Sequence, residues 1–527
     1  MIRLLHGLVL VLALLAGPLA AQDLPGPTDG VFVDEAGAAL NYDDWQRMAE
    51  RAEAEIAERR TSSDRLEEIR LQLAQWRAAL LTAQNANSAR IGTVREQIAA
   101  LGPAPAEGES EADEISSRRQ ELAQQLVKLQ APGIAAEEGY RRADGLIREI
   151  DRTLRERQAD ELLQLWPSPV NPGNWPEAAI GLSDTVLRLW DEAVTAWTDP
   201  KARAELFDNM PLILVLLGVA LALVVYVRRW VERFAERLQQ GASVRGRKVW
   251  SLLASSGEII LPTLGVVALA TALIASGMPG EIGRNIVAAL PLIGFVIFAA
   301  AWLGARAFPR VQLDGAVLPM PPERRAEGRF LSVLMGLVIA TEMLRSAAMD
   351  AQGYSDATTA VMTFPILLTG GLILMRTGRL LRLTRDAEDK SYVLRLLLVF
   401  ARALTVVGAL GPVLAGFGYV QAATALIYPA ILSLGLISLL FILQRLLGDV
   451  WALVVKADEK AGDTLVPVLA GFAMTLASLP VFALIWGARF SDLTELWTRF
   501  TEGFSLGGAT ISPTDFMIFA VVFVIGY

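Results

Sequence analysis

The sequence predicts an all-α membrane protein, in which a coiled-coil helical bundle precedes a polytopic domain of about nine spans, the last incomplete. Three observations lead to this prediction. The mean hydropathy is +0.41 and 53% of the 527 residues are hydrophobic, which is typical of a membrane protein with a sizeable polar part. Residues 22–209 carry a formal net charge of −14, whereas residues 210–527 carry +5. The apolar runs long enough to cross a bilayer all fall in the second of these parts.

Residues 1–21, MIRLLHGLVLVLALLAGPLAA, have the pattern of a secretory signal peptide. Arg3 lies in a short basic start, an apolar run of roughly 12 residues follows, and small residues end the segment at Ala20 and Ala21. An uncleaved anchor is the alternative, but such a run is too short to span a bilayer. We therefore expect a multi-pass protein of the bacterial inner (plasma) membrane, with its N-terminal domain in the periplasm.

Residues 22–165 are predicted to form this periplasmic domain. Apolar residues with the three-and-four spacing of a coiled-coil seam occur at Leu66, Ile69, Leu73, Trp76 and Leu80. A second helix is expected to end at Pro132-Gly133, because proline interrupts helical hydrogen bonding, and a third to run from Ile147 to Leu165. These helices are predicted to pack as an antiparallel bundle with solvated charged faces.

Residues 166–209 are predicted to connect the two domains. The segment WPSPVNPGNWP (166–176) has four prolines and two tryptophans, so we expect a stiff elbow through which no helix passes. An amphipathic helix then carries an apolar stripe of Leu182, Val186, Leu189, Ala193 and Trp197. Two roles stay open for this stripe: it caps the periplasmic bundle, or it lies on the outer membrane–water interface, where tryptophan is favourable.

The membrane domain is predicted at residues 210–488 with eight spans, and residues 489–527 are predicted to hold a periplasmic amphipathic segment and the start of a ninth. The spans are expected at residues 210–227, 249–277, 285–305, 330–349, 358–376, 393–417, 422–444, 464–488 and 513–527. With the amino end outside, the cytoplasmic loops hold 21 Lys and Arg residues and the periplasmic loops hold 3. This asymmetry agrees with the positive-inside rule.

The residue types that are missing argue against most enzyme classes. The chain has no cysteine, and its only histidine is His6, within the signal peptide. Disulfides, thiol chemistry, His-ligated metals and Ser-His-Asp triads are therefore excluded from the mature chain, although chemistry by carboxylates alone is not. We expect a protein that is not an enzyme, with no catalytic, metal or cofactor site. The expected partners are membrane lipids and an unidentified periplasmic protein, and not nucleic acid.

Ionisable residues within spans are the candidate functional residues. Glu258 lies about a third of the way into the second predicted span, Glu342 and Arg345 lie on the fourth, and Arg402 lies on the sixth. The i, i+3 spacing of Glu342 and Arg345 places both on one helix face, where they can pair. These charges either fix helix packing or form a proton or ion path through a transporter.

The transporter alternative would also use helices that unwind at a substrate site. Gly370-Gly371 in the fifth predicted span and Gly411-Pro412 in the sixth are suitable places for such breaks. The predicted hairpins, however, show no inverted repeat, which argues against this alternative.

The stretch GFSLGGATISPTDFMIFAVVFVIGY (503–527) resembles the segment that leads into the channel core of the small-conductance mechanosensitive ion channel (MscS-like) superfamily. In that family an amphipathic segment with a G-G-x-x-I-S turn precedes a first core helix that ends in a Gly-Tyr pair. The matching positions are Phe504, Gly507, Gly508, Ile511, Ser512, Gly526 and Tyr527. The order of signal peptide, periplasmic helical domain and additional membrane hairpins is also similar to the long members of this superfamily.

The resemblance implies an ion channel that opens under membrane tension, protects against osmotic stress and assembles as a homo-oligomer when full length. It also implies a pore helix and a cytoplasmic vestibule after Tyr527, and we expect both to be missing from this chain. The chain is then the N-terminal sensor and scaffold part of such a channel. The alternatives are a secondary transporter that uses intramembrane carboxylates and a non-conducting envelope scaffold.

Overall fold

The computed structural model describes residues 40–58, 60–103, 112–226, 255–310, 320–382, 392–455, 465–502, 504–506 and 509–511. Apart from one short β-hairpin, the regular structure of these residues is helical, so the predicted all-α class is confirmed. The chain divides into two compact units, Met1–Gln158 and Ala159–Tyr527. The predicted signal peptide, residues 1–21, lies outside the described residues.

The described part of the first unit contains three helices and most of a fourth. These are α1 (Tyr42–Ala57), α2 (Ser63–Asn85), α3 (Ser88–Ala100) and α4 (Asp113–Leu162), which continues into the second unit. The Asn41 side chain caps α1 by accepting a hydrogen bond from the backbone N–H of Asp43 at 3.1 Å. Ser62 caps α2 in the same way, by accepting from the N–H of Arg65 at 3.2 Å. Both caps satisfy N–H groups that a helix start leaves unpaired.

The predicted coiled-coil seam lies in the core of the first unit. All five of its residues are buried: Leu66, Ile69, Leu73, Trp76 and Leu80. They belong to one apolar cluster with Trp45 of α1 and with Ala143, Ile147 and Ile150 of α4. Fully burying a large aliphatic side chain stabilises a fold by about 1.5–3 kcal/mol, so this seam is a main source of the unit's stability.

One predicted boundary is wrong, because α4 does not end at Pro132-Gly133. The helix is continuous with Pro132 in its interior, and the predicted third helix is its C-terminal part. Proline costs a helix interior about 3 kcal/mol, but contacts with α1 and α2 hold Pro132 and the following turns. A Cβ on Gly139 would lie 2.9 Å from Leu80 Cδ2, and the Tyr42 hydroxyl donates to the Pro132 carbonyl at 3.2 Å. The predicted helix end rested on Pro132 alone, whereas the helix continues because of contacts with residues that are distant in sequence.

Ion pairs join α2 to α4. Arg70 Nε donates to Asp151 Oδ1 at 2.7 Å, with 2% and 12% of the respective side chains exposed. Arg77 Nη1 donates to Asp144 Oδ1 at 3.2 Å. Because a buried charge has lost its hydration, removing one partner of such a pair is strongly destabilising.

The second unit begins with the end of α4 and the proline-rich segment, which contains no α-helix before Trp175. A 3₁₀ turn (Pro172–Asn174) leads into α5 (Trp175–Thr198), and α6 (Pro200–Asp208) and α7 (Met210–Val225) follow. The Asp199 side chain caps α6 by accepting from the N–H of Lys201 at 2.9 Å. At Asn209 the chain bends by 63° between α6 and α7. The Asn209 side-chain amide also donates to the Ala275 carbonyl at 3.0 Å.

Seven helices of the described chain are long and apolar enough to cross a membrane, and α6 and α7 would add an eighth if they form one bent span. The seven are α8 (Gly257–Ala275), α9 (Glu281–Ala307), α10 (Pro322–Met349), α11 (Asp356–Arg382), α12 (Tyr392–Phe417), α13 (Val420–Val455) and α14 (Leu465–Ile485). The chain is thus compatible with a multi-pass membrane protein. The ninth predicted span, residues 513–527, lies outside the described residues, so the predicted total stays a prediction.

Consecutive membrane helices pack as hairpins whose short turns lie at one end of the second unit. The turns are residues 276–280 between α8 and α9, 350–355 between α10 and α11, and 418–419 between α12 and α13. We call this end the turn end. The hydrogen bond from Asn209 to Ala275 places the start of α7 there too.

Helices α11 and α12 approach each other closely at the glycines where, in a transporter, the helices would unwind to form a substrate site. A Cβ on Gly371 would lie 2.4 Å from Pro412 Cγ and 2.5 Å from the carbonyl oxygen of Gly408, so only glycine fits. Both helices are continuous through these residues. The small residues therefore serve helix packing in α11 and α12, and neither helix is broken there.

The described chain ends in an amphipathic helix and a hairpin. Helix α15 (Phe490–Glu502) exposes Trp497 and Phe500, and it precedes strands β1 (Phe504–Leu506) and β2 (Ala509–Ile511). The strands are antiparallel, with Phe504 opposite Ile511 and Leu506 opposite Ala509. The amphipathic segment predicted at residues 489–512 is thus a helix followed by a β-hairpin.

Candidate functional site

Glu342 and Arg345 form an ion pair on α10, about two turns and one turn, respectively, from the turn end. Arg345 Nε lies 3.1 Å from both carboxylate oxygens of Glu342, and Arg345 Nη2 donates to Glu342 Oε1 at 2.7 Å. The Arg345 and Glu342 side chains are 12% and 19% exposed. A paired arginine and carboxylate form strong, directional hydrogen bonds, so this pair fixes the two side chains on one face of α10.

Asp350, a residue that no sequence pattern indicated, completes the cluster. Arg345 Nη1 donates to Asp350 Oδ1 at 2.9 Å, and Ser346 Oγ donates to Asp350 Oδ2. Asp350 follows α10 directly and is half exposed. Its separation of five residues from Arg345 is not a regular helical contact, so no periodic pattern signals it. Two carboxylates and one guanidinium give the cluster a formal charge of −1.

The cluster lines an open cavity of about 430 Å³. The other polar and aromatic residues that line it come from the proline-rich segment, α11 and α13: Trp166, Thr359, Thr363, Gln421, Thr424 and Tyr428. The Tyr428 hydroxyl lies close enough to Glu342 and Arg345 to interact with both charges, without a hydrogen bond of normal geometry. Within the described residues, no three acidic, His or Cys side chains are grouped to hold a metal ion.

The other two predicted ionic residues are not part of this cluster. Glu258 lies in the first turn of α8 and interacts electrostatically with Arg306, in the last turn of α9. Arg402 is exposed on α12 and has no hydrogen bond or ion pair with a described residue. It lies five residues inside the apolar stretch Leu397–Phe417, or about 8 Å from its end. An arginine side chain can snorkel over that distance to the membrane surface.

Two of the seven residues that carry the MscS-like resemblance are described. Phe504 and Ile511 are cross-strand partners in the hairpin of β1 and β2. The remaining five lie outside the described residues: Gly507, Gly508, Ser512, Gly526 and Tyr527. The predicted start of the first core helix lies outside them as well.

A second candidate site is formed by residues 166–198, which cross the turn end and which we call the collar. The backbone N–H of Trp166 donates to the Gly418 carbonyl at 3.0 Å, and Ser168 Oγ donates to the Gly416 carbonyl at 2.6 Å. Gly418 has a φ of +103°, and a Cβ there would lie 2.3 Å from the Trp166 carbonyl oxygen. Glycine is therefore required where the collar joins the turn between α12 and α13.

Helix α5 of the collar also packs on the start of α11. Gly181 and Thr185 are buried on its inner face. Thr185 Oγ1 lies 2.9 Å from the Tyr354 hydroxyl, and Ser355 Oγ donates to Glu177 Oε1 at 2.6 Å. The collar is therefore bonded to the turn between α10 and α11.

Glu192 bonds the collar to a third hairpin by capping α9. Its two carboxylate oxygens accept hydrogen bonds from the backbone N–H groups of Ile282 at 2.9 Å and Gly283 at 3.1 Å. A carboxylate at a helix N-terminus pairs free N–H groups and compensates the helix dipole. Glu192 and Ile282 are 90 residues apart in sequence, so no local pattern could have predicted this cap.

The outward face of α5 is apolar and exposed. Its large exposed residues are Ile180, Leu182, Val186, Leu187, Trp190, Val194 and Trp197. Three members of the predicted stripe, Leu182, Val186 and Trp197, are among them. On the polar side, Asp184 and Arg188 pair at 2.8 Å, and the hydrogen bond and charge of Asp184 raise the pKa of Arg188. Helix α5 therefore packs on the membrane helices with one face, and a separate apolar face stays exposed.

Substitution of Gly280 by alanine is expected to destabilise the protein by about 1–3 kcal/mol. A Cβ on Gly280 would lie 2.4 Å from the Glu192 carboxyl carbon, so the cap on α9 must move away. Thermal unfolding of the purified full chain in detergent measures the effect. Gly218→Ala on α7 is the matched control, because nothing lies within 4 Å of its Cβ. Equal unfolding temperatures for the two variants would contradict the role of the cap.

Comparison with known proteins gives one match. A family model described as "Protein of unknown function (DUF3772)" matches residues 133–195. The match covers the C-terminal part of α4 and nearly all of α5, so it includes most of the collar. No curated protein and no solved structure is significantly similar to the chain.

Proposed function

We propose that the chain is the sensor and scaffold part of a mechanosensitive ion channel of the bacterial inner membrane, with its N-terminal domain in the periplasm. The observation that carries this proposal is the collar. It is bonded to the turns of three membrane hairpins, and its outward face presents Trp190, Trp197 and aliphatic side chains. Tryptophan and aliphatic side chains on an amphipathic helix favour the membrane–water interface.

A collar at the interface gives bilayer tension a route to the hairpins. Tension favours the conformation with the larger area in the membrane plane, so it biases a two-state equilibrium only if the protein's outline can change. The hairpins enlarge the lipid contact, and the collar links their ends at Gly418, Tyr354 and Ile282. When lipids pull on α5, they therefore act on three hairpins together.

The charge content of the spans also favours a sensor. The ionisable residues singled out within the spans, Glu258, Glu342, Arg345 and Arg402, are few for several long apolar helices, too few to line a wide aqueous path within the described spans. The MscS-like resemblance assigns the pore to residues that follow the hairpin of β1 and β2. In this proposal several copies of the chain surround that pore. The described helices anchor it in the membrane and shift its equilibrium between the closed and the open state.

One observation favours a secondary transporter as the second candidate. The cavity beside Glu342 and Arg345 has the volume of a small-molecule site. Against this candidate, α11 and α12 are unbroken at Gly370-Gly371 and Gly411-Pro412, where a midplane substrate site would need unwound backbone. The two candidates differ in what they do for a cell: a channel releases solutes after a fall in osmolarity, whereas a transporter accumulates one.

Survival after hypo-osmotic shock tests the proposal. The natural gene is to be expressed in bacteria that lack other tension-gated channels, and survival is compared with that of cells with an empty vector. We expect clearly higher survival, a loss of that gain with Gly280→Ala and no loss with Gly218→Ala. Unchanged survival combined with accumulation of a solute would instead favour the transporter.

A further inference from the structure

We propose that the cavity beside Glu342, Arg345 and Asp350 binds a phosphoethanolamine group, which joins an ammonium to a phosphate. This inference goes beyond the proposed function, because the site stands whether or not the chain takes part in ion conduction. It follows from the charge of the cavity, its unpaired donors and its position at the turn end.

The carboxylates account for the ammonium. Glu342 and Asp350 together exceed the charge of Arg345 by one, so the cavity carries an uncompensated negative charge. Trp166 and Tyr428 add aromatic rings to the same walls. Carboxylates and aromatic faces together are the usual environment of an ammonium group.

The unpaired donors account for the phosphate. Trp166 Nε1 and Thr363 Oγ1 are buried and have no hydrogen-bond partner among the described residues, and Thr363 is only 2% exposed. A buried polar group without a partner is costly, which indicates that an acceptor is missing at this place. Arg345 uses one N–H on each of its three nitrogens, which leaves two of its five donors for the same acceptor. An indole, a hydroxyl and a guanidinium suit phosphate oxygens.

The position of the cavity indicates where this group comes from. Arg345 lies four residues before the end of α10, or about 6 Å inside the helix end. In a chain that spans the membrane, this is close to the depth of lipid headgroups. Phosphatidylethanolamine and free phosphoethanolamine carry the same polar group, and the experiment below separates the two sources.

The test is native mass spectrometry on the full chain, purified in detergent and stripped of lipid. Phosphatidylethanolamine and phosphatidylglycerol, which lacks the ammonium, are titrated at equal concentrations. We expect one phosphatidylethanolamine per chain, bound about tenfold more tightly than phosphatidylglycerol, since one charged hydrogen bond is worth roughly that factor. Equal affinity for the two lipids, or no binding of either, would overturn the proposal.

Variants that remove single donors and keep the shape show whether binding occurs in this cavity. Trp166→Phe combined with Thr363→Val is expected to weaken phosphatidylethanolamine binding about tenfold. Thr369→Val is the matched control, because Thr369 is exposed on the same helix and its hydroxyl bonds only its own backbone. Trp166→Phe alone replaces the double variant if the latter does not fold. Affinity that stays unchanged in the cavity variants would overturn the assignment of the site.

Free phosphoethanolamine identifies the source of the group. If it displaces the lipid, the headgroup alone is recognised, and a soluble ligand is supported. If it does not displace the lipid, while the preference over phosphatidylglycerol holds, the acyl chains contribute and the natural ligand is the lipid. Both results support the phosphoethanolamine chemistry of the site.

Discussion

Replacing Asp151 with alanine is expected to destabilise the helical domain of residues 22–165 by about 3–5 kcal/mol, because it removes a carboxylate that is bonded to the buried guanidinium of Arg70. Only 2% of the Arg70 side chain is exposed, and its Nε donates to Asp151 at 2.7 Å. A loss of this size is a large part of the 5–15 kcal/mol that holds a typical domain folded. Denaturant unfolding of residues 22–165, followed by circular dichroism, measures it.

Two controls separate the buried charge from other effects. Glu121→Ala removes an exposed partner on the same helix and is expected to leave the unfolding midpoint nearly unchanged, because Arg118 and Glu121 are 54% and 67% exposed. Arg70→Met combined with Asp151→Leu replaces both charges with apolar groups and is expected to be far milder than Asp151→Ala alone. A fragment that is mostly coil would contradict the independent folding of this domain. Equal effects of Asp151→Ala and Glu121→Ala would contradict the role of the ion pair.

Glu342→Gln and Arg345→Gln are each expected to destabilise the full chain by about 2–3 kcal/mol, and the double variant by less than either. Each single substitution leaves an unpaired charge within the apolar stretch of α10, and Arg345→Gln also leaves Glu342 and Asp350 as unshielded like charges. The double variant removes both charges, so neither Glu342 nor Arg345 is left as a charged residue without its partner. Thermal unfolding in detergent or lipid discs measures the stability of the four proteins of this double-mutant cycle: the unsubstituted chain, the two single variants and the double variant.

Thr341→Val is the matched control for this cycle, because Thr341 is exposed on α10 and its hydroxyl bonds only its own helix. It is expected to change the unfolding temperature little. Strictly additive effects of Glu342→Gln and Arg345→Gln would mean that the pair contributes no coupling energy, and the packing role of the cluster would then be wrong.

The sequence predicted those features that depend on local periodicity. Leu66 and Leu73 recur with the period of a helix, so their burial follows from spacing alone, and the same holds for the contact of Glu342 with Arg345. Long apolar runs similarly predicted the membrane helices, because bilayer thickness sets their length. The break predicted at Pro132 was wrong, because packing on α2 outweighs the local cost of proline.

The remaining features depend on contacts between distant segments. Tyr428 comes near Glu342 only because α10 and α13 line the same cavity, and Glu192 meets Ile282 only because the collar crosses the turn end. The sequence also left two roles open for the apolar stripe of α5. Each of these polar residues looks like an ordinary surface residue in the sequence, because nothing within one helical turn distinguishes it.

The central claim is that membrane tension acts on this protein through the apolar face of the collar. Patch-clamp recording under suction tests it most directly, with the natural gene expressed in cells that lack other tension-gated channels. We expect reproducible openings, and we expect Trp190→Ser with Trp197→Ser to raise the suction needed, because the weakened interface contact transmits less of the tension. Asp191→Asn, on the polar side of α5, is expected to open at the original suction. No suction-dependent current, or one threshold shared by all three proteins, would contradict the claim.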